Sequence, residues 1–329
     1  MQAQTVTIVG MDRTGVSIAK AIKTSSAGLN IIGHDRYRDL AERVRDELGA
    51  IDKAEWNLVK AAAAADILVL SVPLAELHTS LQAIGDELKP HALVLDMSVL
   101  KGLSQKWADQ FLTQGHYVGV MPVLAASYLN DGRNEPEAAT ADLFKNSIFC
   151  LMPSPNAAPQ AVDTAVDFGR LLGAVPYFVD PMEYDSLVQG VETLPGLAAA
   201  ALFGALQKST GWRDMLRFAN SSFALATQPL QYGTDITSLA LHDKAVTLRW
   251  LDALLEELVD LRRLILEGDR EMIDLTLGQL LIQRERWIKE RGRNEWTEDN
   301  DRELGQLSVS NQFLGGWLSG KLGRDKRNG

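Results

Sequence analysis

The chain opens with an apolar run, Thr5–Val9, breaks at Gly10-Met11-Asp12-Arg13-Thr14-Gly15, and resumes as the periodic run Val16–Ile22. A short apolar segment, a glycine turn and a stripe of period 3.6 predict strand, turn and helix. The alternation continues: strands are predicted at Asn30–Gly33, Ile67–Ser71, Ala92–Asp96, Tyr117–Val120, Ser147–Leu151 and Val175–Val179. Amphipathic helices are predicted between most of them, at Arg38–Leu48, Leu74–Leu88, Lys101–Leu112 and Ala158–Leu172. Strands alternating with helices imply an α/β fold, a Rossmann-type doubly wound parallel sheet with helices on both faces. Ligands of such sheets bind beyond the carboxyl ends of the strands. Those ends are Gly10–Gly15, Asp35, Ser71–Pro73, Asp96–Lys101 and Val120–Val123.

After Val179-Asp180-Pro181 the strand signals stop, and helical runs are predicted at Tyr184–Leu206, Trp212–Phe223, Asp243–Leu266 and Glu271–Glu290. The third carries Leu248, Leu251, Leu254, Leu255, Leu258, Leu261 and Leu264 with charges between them. Such a stripe belongs to a core or a subunit interface, so this part reads as an all-α dimerisation domain and the protein as a homodimer. The predicted organisation is a dinucleotide-binding domain over 1–180, a helical substrate and dimerisation domain over 181–292, and a polar linker with a C-terminal tail over 293–329. Arg291–Glu303 is charged and polar and reads as solvated, while Phe313–Leu322 holds three glycines and reads as a docked tail rather than an independent helix.

At 329 residues the chain has room for two cores. Its net charge of −10 argues against nucleic acid or an anionic membrane as partner, since either requires a basic face. A single cysteine, Cys150, excludes an internal disulfide and fits a reducing cytoplasm. It lies in the apolar run Ile148–Leu151 and reads as a buried thiol. No signal peptide precedes the first strand, and the longest apolar run, Leu194–Leu206, is too short to span a bilayer, so a cytoplasmic location is expected. His34, His78, His91, His116 and His242 are scattered without metal-ligand spacing, and no metal site is expected.

The candidate chemistry begins at the first turn. Strand, glycine turn and helix open a dinucleotide-binding unit whose pyrophosphate rests on the helix N-terminus, here Gly10, Thr14 and Gly15. Asp35 ends the second strand twenty residues after Gly15, where an acidic residue hydrogen-bonds a ribose hydroxyl. A carboxylate there favours NAD and repels the NADP phosphate, although Arg36 follows at once. Val72 and Pro73 close the next strand end on the cofactor side. Asp12 stands where the fingerprint has its second glycine, and it brings bulk and like charge to the pyrophosphate. As a favoured N-cap worth ~1 kcal/mol, it can fill the phosphate's seat. Alternatively it swings aside and Arg13 contacts the phosphates.

Taken together, these segments resemble the prephenate/arogenate dehydrogenase family from about Thr5 to Arg291. Ala65–Pro73 resembles the family's AD-hydrophobic-VP strand, Leu95–Gly102 its DVGSVKG loop, Gly119–Ala125 its GGHPMAG segment, and Asp180–Val188 its xPEEHDxLV segment. Leu194-Pro195 stands for SHLPH, and Gly211–Ala219 resembles GFRDMTRIA. The resemblance implies oxidative decarboxylation of prephenate or arogenate with hydride passing to NAD or NADP. It further implies a small-molecule carboxylate ligand held by Arg217, with Arg213 beside it. Retained with Arg217 are Lys101, Asp96, Pro73, Gly10, Gly15 and Asp35.

The departures from the family cluster. Met121 occupies the place of the catalytic histidine, Val99 that of the serine orienting it, Thr193 and Gly196 those of the SHLPH histidines, and Tyr184 that of the histidine before Asp185. A thioether cannot act as a base. His116 precedes Met121 by an odd offset on one strand, which puts it on the opposite face, and nothing marks His242 out. Three readings follow: an active dehydrogenase with an unusual site, a dimeric pseudoenzyme binding a metabolite or partner, and a reductase of another small substrate with Tyr184 or Lys101 as proton donor.

Overall fold

The computed structural model describes residues 3–296. Eight strands form one sheet: β1 (Thr5–Val9), β2 (Asn30–His34), β3 (Lys53–Ala54), β4 (Ile67–Leu70), β5 (Leu93–Asp96), β6 (His116–Pro122), β7 (Ile148–Pro153) and β8 (Val175–Phe178). Their order is β3-β2-β1-β4-β5-β6-β7-β8, and every pairing is parallel except β6 with β7. The strand order reverses at β1 and β4, so the ligand crevice of an open sheet falls at their carboxyl ends. Helices α1 (Arg13–Thr24), α2 (Arg38–Asp46), α3 (Leu58–Ala64), α4 (Leu74–Ile84), α5 (Lys101–Phe111) and α6 (Pro159–Leu171) flank it.

β4 and β5 are buried along their whole length, which is why their sequences are continuous apolar runs rather than alternating ones. One core sets Ile8, Val69 and Leu95 against Ile18 and Ile22 of α1, Val44 of α2 and Phe168 of α6. The other sets Leu68, Leu70 and Val94 against Ala62 of α3, Leu77 and Leu81 of α4 and Ala108 of α5. The two layers are those the alternation predicts.

Three features differ from the expected pattern. β3 and α3 fall where nothing was predicted, because β3 has two residues and the alanine run of α3 has no amphipathic stripe. β7 runs antiparallel to β6, since they are joined by a long loop with short 3₁₀ turns at Ala126–Tyr128 and Pro136–Ala138 in place of a crossover helix. β6 also extends past Val120 to Pro122, so Met121 lies within the strand.

Beyond β8 the described chain is helical: α7 (Pro181–Val188), a π turn over Gln189–Thr193, α8 (Leu194–Gln207), α9 (Trp212–Phe218), α10 (Ser221–Thr227), α11 (Gly233–His242), α12 (Lys244–Glu267) and α13 (Arg270–Arg293). The predicted run Trp212–Phe223 is cut at Asn220, whose side chain accepts from Ser221 N and caps α10. α12 and α13 join through Gly268 in the left-handed region. The continuous stretch Pro181–Gln207 is, at 27 residues, long and apolar enough by composition to cross a bilayer, which the shorter run considered above was not. Its first turns are nevertheless tied to the sheet by Asp185, as shown below. The tail segment Phe313–Leu322 and most of the linker lie outside the described residues.

Candidate functional site

The turn after β1 keeps the close geometry of a dinucleotide loop. Gly10 has φ +98°, and a side chain there would meet the Ser71 carbonyl at 1.9 Å; at Gly15 a side chain would meet the Gly10 carbonyl at 2.0 Å. Both positions therefore admit only glycine. Asp12 is the N-cap of α1, its Oδ1 accepting from Gly15 N at 2.9 Å. The capping arrangement is thus the one adopted, and the carboxylate sits on the helix N-terminus with Thr14 half-buried beside it. Burial raises the Asp12 pKa to about 6, with the Gly15 hydrogen bond opposing and the charge of Asp35 adding to it.

Arg13 does not face this seat. Its buried guanidinium donates to the carbonyls of Ala138 and Arg133 and to the Asp131 carboxylate, and lies 5.4 Å over the Tyr128 ring. The expected phosphate contact is replaced by a pin between α1 and the loop after β6. Asp35 accepts from Met11 N at 2.9 Å and Tyr37 N at 2.8 Å, which holds it at the rim of the turn. Arg36 pairs with Glu76 and stacks on Tyr37. Val72 is half-buried and Pro73 is exposed at the N-cap position of α4.

A second cluster forms at the ends of β5 and β6. Asp96 is fully buried and accepts from Ser98 N, Ser98 Oγ and Tyr117 Oη, each at 2.8 Å. Lys101 is buried at the start of α5, its Nζ donating to the Asp96 carbonyl at 2.8 Å and standing 6.0 Å from the Tyr184 ring. Burial lowers the Lys101 pKa, with Asp96 and Asp185 opposing it, and burial pushes Tyr184 well above its ordinary value. Asp185 of α7 accepts from Lys101 N at 2.7 Å and Gly102 N at 2.8 Å. One carboxylate from the helical region thus caps a helix of the sheet domain, and burial raises its pKa. His242 stands 3.9 Å from the same carboxylate.

Antiparallel pairing sets Met121 opposite Cys150 and Gly119 opposite Met152, and alternation puts these side chains on the face that looks toward Lys101. Met121 and Val99 are half-buried there. His116 lies on the other face, its Nδ1 3.4 Å from Ala158 N at the start of α6. Thr193 is buried with no partner for its hydroxyl among the described residues, and Gly196 packs on Ile236. Arg213 and Arg217 of α9 are both exposed, and Arg217 pairs with Asp214 of its own helix at 3.7 Å. These arginines are not brought to the cluster within the single chain.

Two partnerships at the site carry no local sequence signal. Asp185 lies in a quoted motif but has a partner 84 residues away. Arg291, inside a run that reads as solvated, is buried and donates to the Leu124 carbonyl at 2.7 Å. Among the described residues no group of His, Cys, Asp and Glu is placed to hold a metal ion.

Comparison with known proteins follows the same outline. Residues 18–178 match the family model described as prephenate dehydrogenase, nucleotide-binding domain. The prephenate dehydrogenase of Bacillus subtilis (strain 168) is 26% identical over 283 residues, 81% of this chain and 71% of that protein. That of Lactococcus lactis subsp. cremoris (strain MG1363) is 26% identical over 247 residues, 70% of this chain and 66% of that protein. The crystal structure of the A. aeolicus prephenate dehydrogenase in complex with hydroxyphenyl propionate and NAD⁺ matches with a TM-score of 0.72 at 22% identity, covering 86% of this chain and 98% of that one. The Synechocystis arogenate dehydrogenase matches with a TM-score of 0.63 at 22% identity, over 86% of this chain and all of that one. At these identities the structural matches establish the shared fold.

Proposed function

We propose that this chain, whose residues 18–178 match the nucleotide-binding domain model of prephenate dehydrogenase, is a dinucleotide- and carboxylate-binding member of that family whose reaction centre is degenerate. The observation that carries this reading is Met121, at the carboxyl end of β6 and facing Lys101, in the place the resemblance gives to the catalytic histidine. Oxidation of the substrate's ring hydroxyl requires a base with a pKa near the working pH. Met121 offers no proton acceptor, Tyr184 stays protonated, and His116 is on the other side of the sheet.

The residues around the first turn fit a dinucleotide once Asp12 rotates off the N-terminus of α1. Gly10 and Gly15 keep the backbone close, and Asp35 stands at the strand end suited to a ribose hydroxyl. A carboxylate there supports NAD over NADP, and Arg36, held by Glu76 and Tyr37, does not offset it. Bound NAD would supply the hydride acceptor; the chain would supply the seat, the orientation and the exclusion of water. A homodimer through the helical region accompanies this reading.

The test is turnover of prephenate and arogenate with NAD⁺ and NADP⁺, wild type beside Met121→His. Wild type is expected to run far below the ~1–10³ s⁻¹ usual for enzymes, and the histidine to restore roughly 10²–10⁴-fold, the usual worth of a general base. Ordinary turnover by the wild type would overturn the proposal. A buried Lys101 of lowered pKa beside Tyr184 supports a second reading, reduction of another small carbonyl substrate with either group as proton donor.

A further inference from the structure

Among the described residues two arginines are buried, and they are treated differently. Arg13 is met by the Asp131 carboxylate and two carbonyls. Arg291, near the end of α13, is 6% exposed, and among the described residues its only acceptor is the Leu124 carbonyl, reached by Nη2. No carboxylate among the described residues pairs with it. Burial holds its guanidinium below the ordinary value, and the Cys150 thiol is the group that offsets this. A guanidinium remains charged in proteins, and a buried charge without a counter-charge is costly. Among the described residues only one of its five N–H groups has a protein acceptor.

Leu124 follows Met121 by three residues, and Cys150 is the strand partner of Met121. The guanidinium therefore stands at the carboxyl end of β6, beside the face that carries Met121, Cys150 and Lys101. β6 lies three strand spacings from β1, about 14 Å, so the site is separate from the seat of a pyrophosphate on α1. Arg217, to which the resemblance gives the carboxylate, has a side chain 79% exposed and is paired along its own helix.

We propose that Arg291 is the carboxylate anchor of the crevice, its planar fork taking the carboxylate of a small organic acid at the Met121–Cys150 edge. The inference rests on the reading of this crevice as an organic-acid site. A carboxylate matches the fork bidentately, which a single carbonyl does not.

The test is calorimetric titration of the full chain with hydroxyphenyl propionate and with its neutral amide. Wild type should bind the acid about 10- to 100-fold more tightly than the amide, the span of a charge-assisted pair. Arg291→Gln should bring the acid down to the amide. Equal binding of acid and amide by the wild type, or an unchanged ratio in a folded Arg291→Gln, overturns the anchor. If that variant does not fold, Arg291→Lys decides: a several-fold fall in the ratio upholds the anchor and an unchanged ratio overturns it. Excess inorganic phosphate should not compete, and competition would make this a general anion site and overturn the carboxylate assignment. Prephenate turnover reads the family activity separately. Acid binding through Arg291 without turnover upholds the anchor alone. Turnover whose KM ignores Arg291→Gln removes the anchor and leaves the dehydrogenase.

Discussion

At the scale of single residues, Asp12 governs whether the first turn is open. Its carboxylate occupies the donors a pyrophosphate would use, and its pKa of about 6 places its ionisation near neutral pH. A carboxyl whose folded pKa lies above its unfolded value stabilises the fold relatively at low pH and loses that contribution as pH rises through the folded pKa. The same sign applies to the cofactor: below pH 6 Asp12 is neutral and repels the phosphates less. NAD⁺ affinity, followed by titration, is expected to rise as the pH falls from 7.5 to 5.5, and this rise should vanish in Asp12→Asn. Asp12→Gly should bind NAD⁺ more tightly at every pH and lose only a few tenths of a kcal/mol in stability, because glycine is a tolerable N-cap. A variant that binds no better than wild type would place the obstruction elsewhere.

At the scale of elements, two long-range contacts hold the site together, and both can be cut. Asp185 ties α7 to the first N–H groups of α5. Asp185→Ala leaves two buried N–H groups unpaired and is expected to cost about 2–4 kcal/mol in urea unfolding. Asp131→Ala strands the buried Arg13 that pins the loop after β6 to α1. Loss of this partner is expected to lower the urea midpoint and to increase proteolysis within residues 123–147. Much of this element scale was legible in advance. β1, β2, β4 and β5 and their helices fall where the apolar runs predict, because buried parallel strands are apolar throughout. The breaks in the helical region were not, since Asn220 competes with the helix only through its own side chain.

At the scale of the whole molecule, the helical hairpin of α12 and α13 has an apolar surface that the described residues leave exposed. Leu248, Leu255, Leu258, Ile265 and Leu266 of α12 are each more than half exposed, while Leu251, Leu254, Leu261 and Leu264 are half-buried. The leucine stripe was open between core and subunit interface; the exposed leucines of α12 fit the second. Sedimentation is expected to find a dimer for the wild type. Leu255→Glu with Leu258→Glu should convert it to a monomer, since each buries a charge in an apolar interface. A wild-type monomer would remove the interface role.

Local, periodic features can be read from the chain alone. Strand, turn and helix at Thr5–Ile22, the glycines at Gly10 and Gly15, the cap at Asp12 and the absence of a base at Met121 are written in neighbouring residues, where chain geometry alone links pattern to shape. The partnerships were not written there. Arg13 faces Asp131, Asp185 reaches back to Lys101, and Arg291 leaves a charged run to lie beside Cys150. Each joins segments far apart along the chain, and only the packing of helices on the sheet decides which polar groups are buried and which partner each finds.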